Sequence, residues 1–261
     1  MNSSIPIVWS IAGSDSSGGA GIQVDLKVMN AFGVHGCSVL TALTAQNTRG
    51  VLAVESVSKQ MFQAQLMALK TDLPPLAIKL GMLGNVQIVH LLADFLKAIS
   101  PAPYIVCDPV LKSTSGTDLL DPEALSILKT EIFPLVDVLT PNLPETEHFL
   151  GHPIETIEAS AEQVLTMGVR SVLIKGGHGD GQTCSDYWTD GSQSLWLSSP
   201  RIDTPDTHGT GCILSSAIAS ALALGQPLPQ ALTSAKTFLD QSLKLPTHLG
   251  QGVGPMQIQT F

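Results

Sequence analysis

Two spacings alternate along this chain, and that alternation limits its fold more than any other feature. Apolar runs of strand length occupy residues 5–11, 37–43, 76–81, 104–108, 136–140 and 171–175. Between them lie segments with apolar residues three and four apart. Ile22, Leu26 and Met29 share a helix face within residues 22–32. Phe62, Leu66, Leu69 and Leu73 keep the same spacing, as do Val89, Leu92 and Leu96. Asp121-Pro122-Glu123 reads as a helix N-cap with proline in the first helical position, followed by Leu125, Leu128 and Ile132. Strands alternating with helices imply βαβ units. The expected class is α/β, a central, mostly parallel sheet with helices on both faces. Residues 183–199 predict a hairpin around Asp190-Gly191. From Gly211 onward the chain reads as helical and rich in alanine.

No repeat, charge block or Pro/Gly linker divides the sequence, so residues 1–261 are expected to form one domain. Acidic residues outnumber basic ones, 22 to 13, for a formal net charge of −9. With no Lys/Arg-rich run, that balance argues against a nucleic-acid partner, because such binding rests on basic side chains meeting phosphates. No apolar stretch reaches the roughly 18 residues of a membrane helix, so no membrane partner is expected. The first residues lack the basic start of a signal peptide. Cys37, Cys107, Cys184 and Cys212 show no C-x-x-C spacing, which fits a reducing compartment, and a cytoplasmic location is expected.

In sheets of this kind ligands bind beyond the carboxyl ends of the strands. Five segments should meet there: residues 13–21, the stretch after Leu43, the turn after Leu80, the loop after Asp108, and KGGHGDG after Ile174. The first, GSDSSGGAG, is either a ligand-approaching loop or a tight βα connection. Asp25, one turn into the next helix, reads as a solvated helix residue.

DTHGTGC, residues 206–212, opens an apolar helix. Its backbone N–H groups and the helix dipole favour an anion. Cys212 would sit in the first turn, where a thiol pKa tends to fall, and could accept a proton or bond a substrate hydroxyl. Alternatively it is a small buried apolar group. His208 reads as a loop-locking hydrogen-bond group. Asn142 and Glu145 have the spacing of a helix-capping arrangement, or of an amide and a carboxylate near a hydrated Mg²⁺. Lys175 suits a phosphate-reaching ammonium or an ordinary strand end. Asp108 suits metal-linked water or a cap on the turn before Pro109.

Taken in order, IAGSDSSGGAGIQVDLK, TALTAQNTRGV, KLGMLG, CDPVLKSTSG, LTPNLPE, IKGGH and DTHGTGC resemble the bacterial hydroxymethylpyrimidine/phosphomethylpyrimidine kinases of thiamin biosynthesis over roughly residues 5–255. The resemblance implies the ribokinase-like fold, a three-layer sandwich, usually as a homodimer. It implies ATP-dependent phosphorylation of 4-amino-5-hydroxymethyl-2-methylpyrimidine and then of its monophosphate, with ATP and Mg²⁺ as cofactors. Pyrimidine contacts would fall on Gly13, Asp25, Gln46, Met82 and Val110. Gly209, Thr210, Gly211 and Cys212 would form the anion hole, with Cys212 where many ribokinase-like enzymes carry an aspartate base. Lys175, Asn142, Glu145 and Asp108 would serve nucleotide and Mg²⁺. Some members carry Glu at the Gln46 place, and many carry Pro at the Ser16 place. Two rival readings are a pyridoxal kinase on the same fold and a non-catalytic pyrimidine-binding protein.

Overall fold

The computed structural model describes residues 5–113, 116, 118–177, 181–245 and 247–259. Among these the strands are β1 (Ile7–Asp15), β2 (His35–Asn47), β3 (Gly50–Ser56), β4 (Ala77–Leu80), β5 (Tyr104–Cys107), β6 (Val138–Leu139), β7 (Val172–Ile174), β8 (Thr183–Thr189) and β9 (Ser194–Pro200). They form one sheet in the order β3-β2-β1-β4-β5-β6-β7-β8-β9. The six strands from β2 to β7 in that order pair in parallel. The edges β3, β8 and β9 are antiparallel.

The helices cover both faces as expected. α1 (Gly21–Ala31), α7 (Thr210–Ala223) and α8 (Leu228–Leu243) pack on one side. α2 (Lys59–Asp72), α3 (Val86–Ala98), α4 (Pro122–Ile127), α5 (Leu143–Leu150) and α6 (Ile157–Leu165) pack on the other. Successive strand side chains point to opposite faces. Trp9, Ile78, Ile105, Leu139 and Val172 therefore enter the α2–α6 core. Their neighbours Val8, Ala77, Val106, Val138 and Leu173 enter the α1/α7/α8 core. Burial on both faces explains why these strands read as continuous apolar runs. α7 is buried along Ile213–Ala223, and its Ala and Ser side chains let it lie close under the sheet.

Several elements differ from the sequence reading. β3 and α6 have no counterpart in it. β3 is an edge strand whose side chains are mostly exposed, so it carries no burial pattern to detect. The run 136–140 yields only the two residues of β6. Asp121 occupies the N-cap of α4, but its side chain makes no capping bond. Beyond Ile127 the chain continues as a π turn and then a 3-10 turn containing Pro134. The hairpin connection spans residues 190–193, and the Asp190 carboxylate accepts the N–H groups of Ser192 and Gln193 at 2.8 and 2.7 Å.

One buried charge organises the α1/α7 face. Lys79 lies between Ile78 and Leu80, which face the opposite core, so its side chain must point toward α1 and α7. Its Nζ donates to both Asp25 carboxylate oxygens, at 2.9 and 2.7 Å. Asp25 also accepts from Ser10 of β1 and Ser216 of α7. Burial alone would lower the Lys79 pKa, but the charge and hydrogen bonds of Asp25, together with Cys212 and Asp108, offset this and hold it above the usual lysine range. This corrects the solvated reading of Asp25: its side chain is fully buried, and it does not line the cleft but holds Lys79, which does. Removing one partner of a buried pair strands the other charge, at about 3–5 kcal/mol. Asp25→Ala should therefore lose about that much in urea unfolding, and Asp25→Leu combined with Lys79→Met should lose clearly less.

Candidate active site

The carboxyl ends of the parallel strands open into a cleft of about 1160 Å³. Its middle is built from three elements. Asp108 follows β5, Lys175 follows β7, and Lys175 Nζ donates to Asp108 Oδ1 at 2.8 Å. Opposite them stands the N-terminus of α7. Gly209 caps it with φ +90, a conformation that favours glycine, and a Cβ there would run into the Gly19 carbonyl oxygen. A Cβ on Gly211 would come within 2.8 Å of Asp108 Oδ2 and 3.2 Å of Lys175 Nζ, so the helix backbone approaches the pair directly. First-turn N–H groups have no acceptor inside their own helix. With the helix dipole and Lys175 they make a seat for an anion. Burial alone would lower the Lys175 pKa; Asp108 and then Glu145 more than offset it, so the net direction is up.

Asn142 and Glu145 form a reciprocal capping box at the start of α5. The Glu145 N–H donates to Asn142 Oδ1 and the Asn142 N–H to Glu145 Oε2, each at 2.8 Å. Both also line the cleft, so the capping role and a site role coincide. Burial pushes the Glu145 carboxyl up, Lys175 pulls it down, and Asp108 pushes it up again; the net direction is up.

Cys212 lies in the first turn of α7, as expected, but the expectation of a lowered thiol pKa is overturned. Desolvation pushes it up to about 11. The Lys79 charge opposes that, Asp25 and Asp108 reinforce it, and the N–H of Gly21 bonds the sulfur. Loss of water and two nearby carboxylates therefore favour the neutral thiol.

The glycine-rich segment wraps a carboxylate of its own while Gly13, Ser14, Ala20 and Gly21 line the cleft. β1 runs through Asp15, which shortens the loop. The N–H groups of Ser17, Gly19 and Ala20 turn inward onto the Asp15 carboxylate at 2.8, 3.1 and 2.8 Å. His208 Nε2 lies 2.9 Å from Asp15 Oδ2, so His208 does lock the loop. Burial would raise the Asp15 pKa, but hydrogen bonds from His208 and Ser17 prevail and lower it to about 2.

Gly13, Gln46, Met82 and Val110 come together at one end of the cleft, with Ser14 and Thr44. The other end is lined by Asp186, Lys236, Leu239, Asp240 and Leu243. None of these five was anticipated. Lys236 Nζ meets Asp186 at 3.0 Å, and Asp186 accepts the Gly176 N–H at 2.9 Å, which fixes the turn after Lys175. Lys79 was also missed, although a charge inside the buried strand AIKL demands a partner. Of the quoted segments, Thr114, Ser115, His178, Gly179 and Asp180 lie outside the described residues.

Among the described residues no three His, Cys, Asp or Glu side chains converge as a metal cage. Mg²⁺ does not require one, since it commonly binds through one or two carboxylates, waters and substrate phosphates. Asp108 and Glu145 supply such hard oxygen donors beside the anion seat, and so fit the ion.

The sequence matches the phosphomethylpyrimidine kinase family over residues 15–257. The chain belongs to that family. Kinase relatives are close along the whole length. The hydroxymethylpyrimidine/phosphomethylpyrimidine kinase of Rhizobium meliloti is 46% identical over 256 residues, covering 96% of each chain. That of Haemophilus influenzae is 43% identical over 261 residues, covering 97% of this chain and 96% of its own. The crystal structure of the Clostridium difficile phosphomethylpyrimidine kinase matches with a TM-score of 0.80 and 40% identity, covering 92% of this chain and all of that one. The ADP complex of Bacillus subtilis pyridoxal kinase matches with a TM-score of 0.90 and 34% identity, covering 98% of each. The fold is accordingly the ribokinase-like sandwich of this kinase family.

A neutral Cys212 has a chemical signature. Its alkylation by iodoacetamide, mapped by mass spectrometry, should be slow at pH 7 and keep rising beyond pH 9. A plateau near neutrality would instead mark a thiolate.

Proposed function

We propose that this kinase phosphorylates the hydroxymethyl group of 4-amino-5-hydroxymethyl-2-methylpyrimidine with ATP, and then the resulting monophosphate to the diphosphate, in thiamin biosynthesis. The observation that carries the reading is the approach of Gly211 to the Asp108–Lys175 pair in the middle of a two-ended cleft. One end, at Gly13, Gln46, Met82 and Val110, suits a small heterocycle, and the other leaves room for a nucleotide. The relatives named for both phosphorylations support it. A non-catalytic binder would have no need of the anion seat. A pyridoxal kinase remains the rival from the structural neighbours.

Phosphoryl transfer asks a protein mainly for positioning and charge stabilisation. The substrate end would hold the alcohol so that its oxygen faces the start of α7. Lys175 and the N–H groups of Gly211 and Cys212 would take up negative charge on the transferring group, with Thr210 and Asn142 flanking the nucleotide phosphates. Asp108 keeps the Lys175 ammonium aimed into the cleft through their ion pair. As a neutral thiol, Cys212 would hydrogen-bond the acceptor oxygen, and the alcohol proton would leave late. Mg²⁺, held by Asp108, Glu145 and the phosphates, would supply neutralising charge when bound.

A homodimer also fits. Leu43, Leu52 and Val54 near the β3 edge and Met61 on α2 are 49%, 78%, 44% and 55% exposed. Unpaired edges with exposed apolar side chains favour burial against another surface. The described helices include none long and apolar enough to cross a membrane, and a cytoplasmic site of action accords with a biosynthetic kinase. Light scattering should give twice the chain mass, and Leu52→Lys should reduce it toward the monomer value.

The reaction is tested by measuring ATP consumption with the pyrimidine, its monophosphate and pyridoxal side by side. The two pyrimidines should be used at higher kcat/KM than pyridoxal, and a reversed order would install the rival. Lys175→Ala should lower kcat by about 10²–10³-fold, the cost of losing one preorganised charge-stabilising group.

A further inference from the structure

The hydrogens around Gln46 are over-determined. The backbone of Gln46 is clamped by Ser16, whose hydroxyl donates to the Gln46 carbonyl at 2.8 Å and accepts its N–H at 2.9 Å. The side-chain amide then bridges two groups. The position assigned to Oε1 lies 3.3 Å from Thr44 Oγ1, and that assigned to Nε2 lies 3.1 Å from His208 Nε2. A half-turn about its last bond exchanges the two ends of an amide, so the neighbours' hydrogens decide which end faces which.

At the His208 end the accounting starts from Asp15. Its carboxylate accepts from the N–H groups of Ser17, Gly19 and Ala20 and from the Ser17 hydroxyl. A carboxylate so surrounded by donors carries no hydrogen of its own. The hydrogen between Asp15 Oδ2 and His208 Nε2 therefore belongs to the imidazole. An N–H at Nε2 cannot face an amide NH₂ without repulsion, whereas it can share its hydrogen with an amide oxygen. At the Thr44 end the same result follows independently. The Thr44 hydroxyl donates to the Ser14 carbonyl at 2.9 Å, and a carbonyl has no hydrogen to return. Thr44 Oγ1 is left as an acceptor, which calls for the amide NH₂. Both ends require the carbonyl toward His208 and the NH₂ toward Thr44.

We infer that His208 is a positioning residue for substrate selection. Its Nε2–H fixes the Gln46 amide with the carbonyl spent inside the protein and one N–H left for the cleft, so the pocket takes a heterocycle that presents a hydrogen-bond acceptor at that point. This rests on the proposed pyrimidine substrate, whose unprotonated ring nitrogens are such acceptors. The chain Asp15–His208–Gln46 thus passes the polarity of a buried carboxylate to the specificity pocket over three side chains.

Two measurements test it. Nitrogen-15 NMR of the ligand-free chain should show a hydrogen on His208 Nε2; a bare Nε2 overturns the inference, whatever the substrate is. Steady-state kinetics should then compare the pyrimidine with its two single-deaza analogues, in which one ring nitrogen becomes C–H. The wild type should lose about 2- to 10-fold in kcat/KM on one analogue, the size of one neutral hydrogen bond. His208→Leu frees the amide to turn and should shrink that ratio toward one. His208→Gln, which restores an N–H donor, should recover it. If His208→Leu lowers all three substrates in equal proportion, His208 only holds the loop and the inference fails. If the wild type phosphorylates none of the three, the proposed function has failed and substrate selection falls with it, while the NMR result still judges the amide orientation.

Discussion

The ion pair between Lys79 and Asp25 lies under the floor of the cleft, and the geometry above depends on it. It joins β4 to α1, and two serines tie in β1 and α7. Asp25 stands one helical turn after Gly21, and Ser216 one turn after Cys212. The two helix N-termini are therefore pinned one turn above the same carboxylate, with the Gly21 N–H on the Cys212 sulfur. A fully buried pair tolerates little displacement, because each partner is costly alone. That intolerance transmits to the first turn of α7, where the anion seat lies.

The second constraint is charge. A chain with net charge −9 must handle phosphate-bearing ligands without a basic surface. Each described lysine that lines the cleft meets a carboxylate: Lys79 with Asp25, Lys112 with Asp118, Lys175 with Asp108, and Lys236 with Asp186. Positive potential then comes mostly from oriented backbone N–H groups, and the lysines keep fixed directions. Desolvation, reinforced by Asp25 and Asp108, raises the Cys212 thiol against the pull of Lys79, so little thiolate is present near neutral pH.

The fold class was legible because burial on both faces writes apolar runs into parallel strands. Elements lacking that burial were not: β3 is exposed, and α6 is short and mostly polar on its outer face. The five segments expected at the carboxyl ends of the strands do meet in one cleft, although β1 runs on through Asp15 and β2 through Asn47, so two of them begin within strands rather than after them. The roles of individual residues were harder to read. Asp25 and Lys79 are partners 54 positions apart, and no local pattern reports such a pairing. Asp15 was hidden because its loop looks like a ligand cradle, and only the direction of its N–H groups separates the two. The capping box of Asn142 and Glu145 was legible as a box, but its place beside the cleft is a property of the tertiary fold.

The Gln46 end of the cleft is bordered by segments from opposite parts of the chain. Thr48, in the β2–β3 turn, receives the N–H of Gln251 across a separation of 203 residues, and His208 reaches Asp15 across 193. The Asp206 carboxylate holds the N–H groups of Thr247 and His248, and the His208 N–H meets the Gly254 carbonyl. Contacts this distant in sequence reward the chain only after the intervening segments have been ordered. That border exists only when both halves of the chain are in place, so a ligand held there stabilises the complete fold rather than any one part of it.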